Sequence, residues 1–218
     1  MTLDNPVWSS LTGAHVHLGT RHGAAARYDA DVSPFAAVDG ASGWGDLAEL
    51  LAGGVGVLVD PGEVPAGWAV RREMQALQMV WPAPDPHLGP AAVDLGADDV
   101  PEMLELVERT HPGPFLARTV EMGRYVGVRQ EGRLVAMAGE RMHPAGATEI
   151  SAVCTDPSAQ GQGLGGRLVR TVAAGIGAAG ETPFLHVMAD NTGAVRLYEK
   201  LGLVVRRELV IAVVSQEP

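Results

Sequence analysis

The chain has 218 residues, of which 46% are apolar and 19% charged, enough for a sizeable buried core and too little charge for a disordered polymer. Its 26 acids against 16 Lys and Arg give a net charge of −10, which disfavours nucleic acid as a partner and tolerates cationic small molecules. A single cysteine excludes an intrachain disulfide and fits a reducing cytoplasm; no signal peptide or membrane-length apolar run is visible.

Signals in the first third are sparse. Residues 9–37 have room for one helix around Arg21–Tyr28. Asp46–Leu51 reads as a short helix stopped by Gly53 and Gly54, Val55–Val59 as a strand, and Met74–Val80 as another. His15, His17 and His22, with Asp29 and Asp31 nearby, invite a metal reading. No Cys or Glu cluster completes a coordination shell, so no metal is expected. From Trp81 to Pro90 the chain runs W-P-A-P-D-P-H-L-G-P, which neither a helix nor a central strand can continue. This reads as a linker between a smaller N-terminal α/β unit, residues 1–85, and a second domain, residues 90–218. A unit of that size is small for independent stability and should pack against its neighbour.

Beyond the linker the pattern sharpens. Ala91–Leu95 is a short strand. Asp98, Asp99 and Pro101 open a helix with Met103, Leu104 and Val107 on its apolar stripe. Arg124–Arg129 and Arg133–Met142 form a hairpin about Gln130–Gly132, and Glu149–Thr155 is a strand ended by Asp156-Pro157. Leu164, Leu168, Val172 and Ile176, four residues apart, mark the next helix, which Gly177 and Gly180 end. Phe184–Met188 is a strand, Asn191 caps a helix stopped by Gly202, and Leu203–Val214 closes with one or two strands. The order β-α-β-β-β-α-β-α-β predicts a mixed sheet with helices on its faces.

Between Thr155 and the helix at Leu164 lies P-S-A-Q-G-Q-G-L-G-G-R. Its glycines clear side chains from backbone N–H groups, and the helix start adds about half a positive charge, so the turn suits a diphosphate. A plain Gly-rich turn is the rival reading. A dinucleotide fingerprint is satisfied by Gly161, Gly163 and Gly166 but fails on context, because five residues separate it from its strand. No Lys follows the glycines, which excludes a nucleotide-triphosphate loop.

Gln160, Gly163 and Gly165 fit Q/R-x-x-G-x-G/A, and N-T-G-A-V-R-L-Y-E-K-L-G-L from Asn191 to Leu203 fits N-x-x-A-x-x-L-Y-x-K-x-G-F. On these two motifs residues 90–214 resemble the GCN5-related N-acetyltransferase (GNAT) superfamily, and within it the FR47-like branch. The departures are mild: Leu203 replaces the usual Phe, and Gln160 replaces the more frequent Arg. Without that cation the phosphates would depend on backbone amides and on Arg167 or Arg170. The resemblance implies an α/β (α+β) fold, a mixed and mostly antiparallel central sheet flanked by helices, the acyl-CoA N-acyltransferase fold. It implies acetyl-CoA as co-substrate and direct transfer to a primary amine of a small molecule or peptide; a non-catalytic acyl-CoA-binding module is the alternative. Cofactor contacts fall on Val153, Cys154, Thr155, Gln160, Gly161, Gln162, Gly163, Leu164, Gly165, Gly166 and Asn191, with the Val153 amide polarising the thioester carbonyl. The resemblance does not extend to residues 1–85, although V-G-V-L-V would suit a degenerate second copy of the fold.

Acetyl transfer needs a neutral amine and a protonated leaving thiolate. An alkyl amine of pKa about 10.4 arrives protonated, so a base is expected. Glu149, at the head of the strand leading into the turn, is the candidate, against the bland reading of a solvated strand-edge glutamate; Glu121 and Glu140 are weaker substitutes. Tyr198 shares a helical face with Ala194 and Leu201 and is the candidate acid, against a core tyrosine satisfied elsewhere. Cys154, alone in an apolar strand, reads as packing rather than nucleophile. Residues 111–122 are expected to form one wall of the acceptor pocket.

Overall fold

The computed structural model describes residues 2–83 and 92–217, so the expected linker boundary at 85–90 lies outside the described residues. The first segment opens with helix α1 (Pro6–Leu11), capped by Asn5, whose side chain accepts from Trp8 N. Strands β1 (Gly19–His22), β2 (Ala25–Tyr28) and β3 (Ala36–Val38) then form a small antiparallel sheet. The helix expected around Arg21–Tyr28 is therefore a hairpin. Gly23, at φ +52°, turns the chain, and the Asp46 carboxylate accepts from Ala24 N. Ala25, Ala26 and Tyr28 are then buried in strand register. Helix α2 (Gly43–Leu51) and strands β4 (Val55–Val59) and β5 (Trp68–Val80) follow.

The remaining elements keep the predicted order: β6 (Val93–Leu95), α3 (Val100–Thr110), β7 (Tyr125–Gln130), β8 (Arg133–Glu140), β9 (Ala147–Thr155), α4 (Leu164–Ala178), β10 (Thr182–Met188), α5 (Thr192–Leu201) and β11 (Val204–Gln216). The closing segment is one long strand with register shifts at Val205/Arg207 and Val213/Val214.

Strands from both ends of the chain build one eight-stranded sheet, ordered β4-β11-β5-β10-β9-β8-β7-β6. β5 lies between β10 and β11 and is antiparallel to both, so strands expected in the N-terminal unit share a sheet with the second. Among the described neighbours in this sheet only β9 and β10 run parallel, because α4 carries the chain back between them. Side chains of β8 alternate: Ala136 and Ala138 pack with α4, whereas Met137 packs with α3 on the opposite face. Leu168, Val172 and Ile176 bury the inner stripe of α4, each contributing about 1.5–3 kcal/mol. α1 to β3 cover the α3 side of the sheet around β4, β5 and β11 through Val7, Leu18, Tyr28 and Phe35. No helix among the described residues is long and apolar enough to cross a membrane.

Candidate active site

Parallel pairing of β9 with β10 spans only Ala147–Glu149 against Thr182–Phe184, and the strands part beyond it. Ala152, at φ +51°, lies where the β8–β9 register shifts, a bulge that bends β9 at Ala152–Val153. A cavity of about 910 Å³ occupies the opening. Ile150–Thr155 and His186–Met188 line its sides, Tyr198 and Asn191 one end, and Phe35, Val57, Arg72, Met74 and Ile211 the other. Its lining combines residues of the α5 face with residues of the opposite face, so the cavity passes through the sheet.

The Gly-rich turn stands at the first end. Gly161 (φ +79°) and Gly163 (φ +71°) adopt left-handed backbone, and a Cβ built on either would meet nothing within 4 Å. Gly163 is the N-cap of α4, whose free N–H groups follow it. Arg167 has a buried Nε with no hydrogen-bond partner among the described residues, an unspent donor in the first turns of α4. Open left-handed glycines, free helix amides and an orphaned guanidinium donor suit a phosphate-bearing ligand. Gln160 lines the cavity, while Gln162 accepts from the Gln130 amide at 2.9 Å. Leu164 points into the core, and a Cβ on Gly166 would stand 3.3 Å from Leu197 on α5, so Gly166 serves helix packing. Asp156 fixes the turn from below, accepting from Ser158 N, Ser158 Oγ and Arg109 Nε; these bonds hold its carboxyl down to about 2.

Glu149 is fully buried. Arg141 donates to it through Nε (2.8 Å) and a terminal nitrogen (2.6 Å), and His186 Nδ1 donates at 2.7 Å. Burial alone would raise its carboxyl pKa; the Arg141 charge and hydrogen bonds, helped by His186, overturn that and hold it well below the usual carboxylate range. A base working near neutral pH needs the opposite shift. The Nε2 of His186 faces Gln78 Nε2 at 3.1 Å. Because Arg206 donates to Gln78 Oε1 at 2.6 Å, the amide nitrogen must point to His186, whose Nε2 then accepts. Gln78 also donates to the Leu3 carbonyl at 2.9 Å. Arg141 lies under Phe35, 4.9 Å from the ring centroid, so this polar chain ties both ends of the sequence to the cavity floor.

Tyr198 is 8% exposed, lines the cavity, and its hydroxyl has no hydrogen-bond partner among the described residues. Burial pushes its pKa up to about 12, so it keeps its proton at neutral pH. Cys154 is buried against the α3 side and its thiol is pushed up to about 11, which leaves it protonated and poorly nucleophilic. Val153 and Thr155 line the cavity from β9, and Asn191 lines it while its Oδ1 caps α5 by accepting from Ala194 N.

Other expected residues lie elsewhere. Glu121 pairs with Arg118 on the surface, and Glu140 accepts from Arg124 N. Of residues 111–122, His111–Pro114 line the cavity, whereas Phe115 and Met122 are core. His15 is buried between the Tyr28 hydroxyl and the Met122 carbonyl, and His22 stands 3.1 Å from Glu49. Arg141, His186, Gln78 and Arg72 were not anticipated. A histidine inside the apolar run F-L-H-V-M was the one local signal.

The FR47-like protein family matches residues 125–211. A crystal structure from Novosphingobium aromaticivorans, described as a GNAT-family acetyltransferase, is 43% identical, covers 100% of both chains and superposes with a TM-score of 0.92. A GCN5-related N-acetyltransferase from Kribbella flavida, 18% identical over 97% of this chain and 95% of its own, shares the fold at a TM-score of 0.63. The chain belongs to the GNAT family. Among curated relatives, mycothiol acetyltransferase of Mycobacterium avium is 41% identical over 81 residues, 33% of this chain. That match spans about a quarter (26%) of the relative's length. The N-alpha-acetyltransferase RimI of Mycobacterium tuberculosis is 38% identical over 36% of this chain and 50% of its own.

Proposed function

We propose that this protein transfers an acetyl group from acetyl-CoA to a primary amine by direct attack, in the reducing cytoplasm. One observation carries the reading. Tyr198, whose protonated hydroxyl has no hydrogen-bond partner among the described residues, lines a cavity that starts beside the Gly-rich turn and passes between β9 and β10. Acetyl-CoA supplies an activated thioester when bound. Gly161, Gly163 and the first amides of α4 would hold its diphosphate, with Arg167 nearby, and the β9 bulge at Ala152–Val153 would offer main-chain groups to its arm. Transfer joins the amine nitrogen to the carbonyl carbon as the carbon–sulfur bond breaks. Tyr198 gives its proton to the departing sulfur and regains one from the attacking nitrogen, which sheds its surplus proton as the amide forms.

The amine must lose a proton as well. Glu149 is saturated by Arg141 and His186, so in this reading it anchors Arg141 at the cavity floor instead of abstracting a proton. The apolar side chains on the lining, Phe35, Val57, Met74 and Ile211, penalise a charged amine by desolvation, so a bound amine gives its proton to water.

The test is thiol release from acetyl-CoA across amines, amino acids and peptides, for wild type and Tyr198→Phe. The reading expects turnover with some acceptor and a loss of roughly 10²-fold or more in kcat for the variant. Tight CoA binding without turnover on any acceptor would replace the enzyme by a binding module.

A further inference from the structure

The cavity has the wrong charge for its protein. The chain carries 26 acids against 16 Lys and Arg, yet among the described residues the lining holds Arg72, Arg109, Arg141, His111 and His186 and no Asp or Glu. Two of the three arginines are occupied. Arg109 donates to Asp156 at 2.9 Å, and Arg141 is held by both oxygens of Glu149. Arg72 has no hydrogen bond or ion pair among the described residues. Its neighbour Glu73 points to the other face of β5 by strand alternation, and Arg71 donates to Ser215 Oγ at 2.8 Å.

Arg72 also stands apart from the part of the site that suits phosphate. It projects from the stretch of β5 beyond the last residue paired with β10, Ala76, where β5 is matched only to β11. Around it the lining is apolar: Phe35, Val57, Met74, Met188 and Ile211. The Gly-rich turn belongs to the end marked by Gln160 and Asn191. A guanidinium with all its donors free, beside an apolar wall, is a receptor for a planar anion attached to an apolar body.

We propose, resting on the acetyl-transfer reading, that the acceptor is an amino acid-like amine, with a carboxylate bound by Arg72 and an apolar body against Phe35, Val57, Met74 and Ile211. Polyamines and other polycations are excluded from this class, despite the net acidity of the chain, because no acid on the lining receives them.

The experiment pairs each acceptor with its uncharged counterpart: leucine, phenylalanine and 6-aminohexanoate against their amides, with thiol release from acetyl-CoA as readout. Wild type turns over the carboxylates at lower KM. Arg72→Gln, a change at an exposed position, raises KM for them about 10-fold or more, leaves KM for the amides and for acetyl-CoA unchanged, and leaves kcat near wild type. Arg72→Lys keeps part of the preference. Equal use of carboxylates and amides by wild type, a preference that survives in Arg72→Gln, or polyamines as the best acceptors would each overturn the proposal while leaving acetyl transfer intact. No thiol release with any acceptor would overturn the acetyl-transfer reading and this one with it.

Discussion

At the scale of single residues, Glu149 shows how burial decides a role. Its carboxylate, 0% exposed, balances the charge of Arg141, itself 8% exposed. Removing one member of such a pair strands the other charge, which typically costs about 3–5 kcal/mol, whereas replacing both with apolar groups is often neutral. Glu149→Gln should therefore lower unfolding stability by about 3 kcal/mol, read from urea denaturation, and Arg141→Met with Glu149→Leu should recover most of it. A Glu149→Gln protein of normal stability that has lost only its rate would restore Glu149 as the base. The sign of the pH effect follows from the depressed carboxyl. The pair stabilises the fold above the ordinary carboxylate range and fails only as pH falls below it.

At the scale of elements, the turn into α4 separates binding from packing. Gly163 is left-handed with open space about it, while Gly166 abuts Leu197. Gly163→Ala should cost about 1–2 kcal/mol from backbone strain and also weaken acetyl-CoA binding in calorimetry. Gly166→Ala should affect stability alone. Unchanged binding in Gly163→Ala would remove the turn from the donor site. These elements were legible because their signals are local. Asn191 does cap α5, Gly202 does end it at φ +99°, and the four-residue spacing from Leu164 does bury α4. The β1–β2 hairpin was not legible, since what makes Ala25–Tyr28 a strand is a turn at Gly23 held by distant Asp46. Nor was the pairing of Glu149 with Arg141, just past β8, and His186, on β10, since the three meet only when the sheet forms.

At the scale of the whole molecule, the sheet joins the two ends of the chain. β5 fills the space between β10 and β11 and hydrogen-bonds along both. Polypeptide 92–217 holds both sequence motifs but lacks β4 and β5, so Leu209 and Ile211 would lose Val59 and Ala76, and one edge of β10 and both edges of β11 would stand open. It should show neither a dispersed amide NMR spectrum nor a cooperative thermal transition. A well-folded fragment would support the two-unit division that the Pro-rich segment suggested.

The position of β5 also sets a timetable for the ribosome. β5 ends at Val80, whereas its partners begin at Thr182 and Val204. At about 5–20 residues per second, the nascent strand waits on the order of 5–20 seconds before β10 is synthesised. Until then Ala76 and Met79 have no sheet to enter, and the N-terminal segment is a client for chaperones. Slow codons placed before Thr182 would prolong that exposure, and aggregation during expression should track them.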